Sequence, residues 1–133
     1  MGQQPYCNLD LGRAGGLREG AKIAAMAAVK HVQIAPHLYC GPIVAAANIQ
    51  LAAATSNFLI IEMIDQMDGF HAELLTRKID IDNGRVLIPT APGLGVELNE
   101  DVARANPYDG DKLHLEMGQT PFDPARNKDF AGG

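Results

Sequence analysis

Three ionisable residues, Asp10, His37 and Glu62, close three short and mostly apolar runs, "YCNLD", "VQIAPH" and "NFLIIE". They stand 27 and 25 residues apart, about one strand-plus-helix unit each. Aspartate beside histidine orients the imidazole and stabilises its charged form, giving an acid or base usable near neutral pH. A partly buried glutamate next to that pair can be held protonated and donate a hydrogen bond. Each residue also has a plainer reading on its own. Asp10, five residues before Gly15-Gly16, suits a turn or cap. A strand-end histidine is more often a satisfied polar residue than a catalyst. The recurrence of the same pattern on three successive units favours chemistry.

For the three side chains to meet, the runs must be neighbouring parallel strands, whose C-terminal ends share one rim in parallel α/β folds. The segments between them fit that requirement. "LREGAKIAAMAAVKH", Leu17 to His31, is rich in helix formers, and Leu17, Ala21, Ala24 and Ala28 recur at helical spacing. Lys30 and His31 are expected in its last turn, where cations suit the helix dipole. Gly41-Pro42 opens a second helix that runs to about Ala54, with Pro42 at a first helical position. The order strand, helix, strand, helix, strand predicts an α/β fold with a parallel sheet. "YCNL" is expected as its first strand and "NFLIIE" as its third.

Beyond Glu62 the pattern changes. "FHAELL", Phe70 to Leu75, predicts a helical turn or two. "RKIDIDNGRVLIP" predicts a β-hairpin turning at Asn83-Gly84. "PTAPGLGVEL" is a Pro/Gly loop, and Asn99 is placed to cap a short helix starting at Glu100-Asp101. From Asn106 onward only "KLHLEM" suggests a strand within an otherwise irregular tail.

Composition limits the classes of function. The chain has 133 residues, 47% of them hydrophobic and 20% charged, enough for one modest globular domain. A formal net charge of -5 argues against nucleic acid or an anionic membrane as partner. Two cysteines, Cys7 and Cys40, do not make a disulfide scaffold and suggest a reducing cytoplasm. "MGQQPY" lacks the basic and apolar parts of a signal peptide and the Ser or Thr of a myristoylation site. The apolar run Ile43 to Ala54, broken by Asn48 and Gln50, is too short and polar to cross a bilayer. Other motifs are weak. His37 and Cys40 have metal-like spacing but no second ligand pair. "DIDNG" misplaces the glycine of a calcium loop, and "GLG" lacks the rest of a dinucleotide motif. Tyr39 is a weak candidate for lining a pocket. His71 and His114 suit surface or packing roles, and Met63 and Met67 suit a core.

Four blocks carry a resemblance: "LDLGRAGGLREGAKIAAMA", "APHLYCGP", "NFLIIE" and "NGRVLIPTAPGLGVELNED". In this order and spacing they resemble the C-terminal part of the mandelate racemase group of the enolase superfamily, in particular its galactonate dehydratase-like acid-sugar dehydratases. The resemblance spans Asn8 to about Pro107. It implies a C-terminal fragment, about three βα units, of a modified (β/α) barrel, followed by a hairpin and an irregular tail. On this reading residues 5–75 are the last three barrel strands with their helices. Residues 76–107 are a hairpin, loop and short helix that would pack on a capping domain, and 108–133 are the tail. By resemblance His37 is the general acid or base, Asp10 its partner, and Glu62 a hydrogen-bond partner of the substrate carboxylate as it becomes an enediolate. Where Asp10 stands, the muconate-lactonising group carries a lysine.

The implied activity is Mg²⁺-dependent: removal of the proton α to a carboxylate and elimination of the β-hydroxyl of a small-molecule sugar acid. Complete enzymes of the group are expected to be homo-oligomers. A racemase or cycloisomerase would keep the same Asp-His pair, and a non-catalytic barrel piece docking on a partner chain is a further alternative. The family's metal-binding carboxylates lie on strands that have no counterpart here, so no metal ligand is assigned in this chain. The isolated chain is accordingly expected to be poorly stable, to bind no Mg²⁺ tightly and to lack dehydratase activity.

Overall fold

The computed structural model describes residues 5–63 and 67–107. The suggested strand "KLHLEM", the tail from 108 and His114 lie outside them. Two short parallel strands begin the fold: β1, Tyr6–Cys7, and β2, Gln33–Ile34. Between them runs α1, Gly16–Val29, and after β2 comes α2, Pro42–Ala54. The remaining elements are α3, Gly69–Glu73, the strands β3, Ile81–Asp82, and β4, Arg85–Val86, and α4, Glu100–Ala105.

The parallel arrangement extends beyond the two-residue strands. Tyr6 pairs with Gln33 and Cys7 with Ile34, and isolated parallel bridges join Asp10 to His37 and Ile34 to Phe58. The run around β2 is therefore the middle one of three. It donates to the first run through Ala35 N to Cys7 O at 2.9 Å and His37 N to Leu9 O at 2.9 Å. It accepts from the third through Leu59 N to Ile34 O at 2.9 Å and Glu62 N to Pro36 O at 3.0 Å.

The ladder is thinner than the sequence suggests. "YCNL" forms a strand only at Tyr6–Cys7, and "NFLIIE" contributes one bridge rather than a strand. Pro36 is one reason, since it has no N–H to give to a ladder. The third run is also bonded on one side only among the described residues, and Phe58, Leu59 and Ile60 are exposed rather than buried.

α1 ends at Val29, earlier than the expected His31. Lys30 is its C-cap, and His31 turns the chain with φ 56, so neither cation sits in the last helical turn. α1 places Ala24 against Leu9, Leu11, Ile34 and Leu51 in one core cluster. α2 contributes Ala45, Ala46 and Ile49 to a second, with Leu38, Met67, Leu75 and Ile79. Met63 packs on its edge.

β3 and β4 pair antiparallel, Ile81 with Val86 and Asp82 with Arg85. The turn residues Asn83 and Gly84 both have positive φ, 47 and 74, the geometry whose twist matches two flanking strands. Asn99 caps α4, its side-chain oxygen accepting from Val102 N at 3.4 Å. No described helix is long and apolar enough to cross a membrane.

Candidate active site

Asp10 sits where the first run turns toward α1. Its backbone carbonyl accepts from Ala14 N at 2.8 Å and Arg13 N at 3.2 Å, which closes the turn. Its carboxylate is then shared. Oδ1 accepts from Gly12 N at 2.8 Å, and Oδ2 lies 3.1 Å from His37 Nδ1. Arg13 Nε stands 3.6 Å from the same Oδ2. The side chain of Asp10 is only 13% exposed and that of His37 27%, so this contact is sheltered from solvent.

A carboxylate can only accept, so the Asp10 contact assigns the proton of a neutral His37 ring to Nδ1. Nε2 is then the free nitrogen. It points toward Glu62, whose Oε2 is 4.0 Å away, too far for a hydrogen bond. Glu62 Oε2 is instead 3.4 Å from Asn8 Nδ2, which also donates to Ala35 O at 3.2 Å.

All three residues singled out by spacing thus lie at one rim. The expected partial burial of Glu62 is not observed. Its side chain is 57% exposed, because the third run has no neighbour beyond it among the described residues. Tyr39 is half exposed on the loop that follows His37.

Other sequence candidates fall elsewhere. Cys7 and Cys40 are free thiols. The "DIDNG" residues form the exposed hairpin turn, where Asn83 Nδ2 donates to Asp82 Oδ1 at 2.9 Å. His71 is half-buried, with an Nδ1 that has no hydrogen-bond partner among the described residues. A groove of about 670 Å³, lined by Ile49, Phe58, Ile60, Ile81 and Val86 among others, does not include the Asp10–His37 pair. Among the described residues no three His, Cys, Asp or Glu side chains converge as a metal site.

The sequence reading missed the supports of the pair. Gly12 holds Asp10 through its backbone N–H, and Asn8 holds Glu62. Asn48 donates through Nδ2 to the His37 carbonyl at 3.0 Å. Two signals were available. Asn8 is two residues before Asp10, on the same face of an extended run. Asn48 is a polar interruption of an apolar helix.

The family described as enolase C-terminal domain-like matches residues 2–102. D-xylonate dehydratase of Haloferax volcanii is 38% identical over 114 residues, which cover 86% of this chain and 26% of that protein. D-galactonate dehydratase of Xanthomonas campestris pv. campestris is 39% identical over 112 residues, covering 75% of this chain and 28% of that protein. The crystal structure of a mandelate racemase/muconate lactonizing enzyme from Sulfitobacter sp. superposes with a TM-score of 0.73 at 52% identity, covering 84% of this chain and 28% of that one. The chain therefore spans little more than a quarter of the length of these relatives.

Proposed function

This chain belongs to the enolase C-terminal domain-like family, and we propose that it supplies the Asp10–His37 acid/base pair of an acid-sugar dehydratase. The observation that carries the reading is His37 Nδ1 at 3.1 Å from Asp10 Oδ2, with Nε2 free and turned toward Glu62. The names of the similar dehydratases support the choice of reaction. The rest of a (β/α) barrel and a capping domain would complete the site.

In the proposed reaction Nε2 exchanges the proton. As a base it takes the hydrogen α to the substrate carboxylate, and the C–H electron pair moves into an enediolate. As an acid it gives a proton to the β-hydroxyl, the C–O bond breaks, water leaves, and the resulting enol tautomerises to a 2-keto acid. Either role creates or uses an imidazolium, which the Asp10 carboxylate stabilises. Glu62, at the same rim, would form a hydrogen bond with the substrate carboxylate as it becomes an enediolate. Tyr39 would line the entrance. Magnesium is implied by the family resemblance, but the described residues do not form a cradle for it. Both Asp10 oxygens are already engaged.

The test is a graft. Residues 5–107 replace the matching segment of the Haloferax volcanii D-xylonate dehydratase, and formation of 2-keto acid from a panel of sugar acids is followed. Turnover that disappears with His37→Asn supports the proposal. Turnover that His37→Asn leaves intact overturns it.

A further inference from the structure

Asn48 is wholly buried in the middle of α2, a helix otherwise built of apolar residues and one other amide, Gln50. Its Nδ2 donates to the backbone carbonyl of His37 at 3.0 Å, while its Oδ1 has no partner among the described residues. A buried amide left half unsatisfied opposes folding, and an apolar side chain of similar size would avoid that cost. The arrangement therefore needs a reason beyond packing.

The reason lies in the middle run. Four of its carbonyls accept hydrogen bonds: Val32 O from Asn57 Nδ2, Ile34 O from Leu59 N, Ala35 O from Asn8 Nδ2 and Pro36 O from Glu62 N. At His37 the carbonyl accepts from a side chain of α2, the amide of Asn48. His37 is then held on both sides, by its own N–H donating to Leu9 O at 2.9 Å and by its carbonyl accepting from Asn48. From this anchored backbone the ring places Nδ1 3.1 Å from Asp10 Oδ2.

We propose that Asn48 is a positioning residue that, by anchoring the His37 carbonyl from α2, keeps the ring where Asp10 fixes its tautomer. The inference rests on the acid/base reading of His37, yet its test needs no turnover, so either can fail without the other. The readout is the long-range ¹H–¹⁵N correlation of the His37 ring in the full chain, at low temperature and at a pH where the ring is neutral. The native chain is expected to show the Nδ1–H tautomer. Asn48→Leu is expected to keep the helical circular dichroism signal and give a mixture of tautomers. Asn48→Gln, which keeps the amide donor, is expected to recover part of the Nδ1–H form. A folded Asn48→Leu chain with an unchanged Nδ1–H tautomer overturns the proposal. Should Asn48→Leu fail to fold, the native chain still decides. Slowly exchanging Asn48 Nδ2 protons with a cross-peak to the His37 α-proton support the anchor, and freely exchanging ones overturn it.

Discussion

Asp10 serves two donors at once, and that sharing depends on a glycine. Gly12 N–H holds Oδ1 at 2.8 Å, leaving Oδ2 for His37. A β-carbon at position 12 would lie 3.0 Å from Cys40 Sγ and 3.2 Å from Asp10 Oδ1. Gly12→Ala is therefore expected to cost about 1 kcal/mol of stability, read from urea unfolding. The cost should shrink in a Cys40→Ala background, because one of the two contacts is gone. In the grafted enzyme, removing the ring by His37→Asn is expected to lower kcat by about 10²- to 10⁴-fold, the usual worth of a positioned acid or base. At this scale the sequence was informative about residue types. Asp, His and Glu at unit spacing were visible, whereas the backbone donors and amides that hold them were not. Those depend on which groups are left unpaired once the strands have ended.

α1 shows the same division at the scale of an element. Its helical composition is plain in the sequence, but its seat on the sheet depends on Gly20, which is buried against Leu11. An alanine there would gain up to about 1 kcal/mol in helix propensity. Its β-carbon, however, would collide with Leu11 Cδ2, and overpacking of this kind costs about 1–3 kcal/mol. Gly20→Ala is thus expected to destabilise the chain, and in a Leu11→Ala background the same change should become neutral or stabilising. Thermal unfolding of the four chains of this cycle checks both signs. The helix end was legible only approximately. Lys30 and His31 read as last-turn cations from charge alone, yet the chain has to reverse toward β2, and His31 adopts the positive φ that makes the turn.

In the molecule as a whole, the three parallel runs are satisfied unequally. The middle one is bonded on both sides, while Phe58, Leu59 and Ile60 on the outer run stay 38%, 47% and 60% exposed. An apolar, extended run bonded on one side is a surface for pairing with another chain. The purified chain is expected to self-associate as its concentration rises, and Ile60→Lys should reduce the association without lowering the unfolding midpoint. Sedimentation velocity on the two proteins measures this. Equal association in both would show that this edge is not the contact.

What the amino-acid sequence determined by itself is what repeats or acts locally. The helix-period pattern of α1, the positive-φ preference of Asn83-Gly84, the cap at Asn99 and the unit spacing of Asp10, His37 and Glu62 are all encoded within a few neighbours or one strand-helix repeat. Tertiary structure alone decided that Asp10 meets Nδ1, that Nε2 is left free, that Glu62 stays exposed, and that Asn48 reaches the His37 carbonyl. Each of these depends on where a strand stops relative to its neighbours. That register is settled by the packing of distant segments, and no local pattern records it.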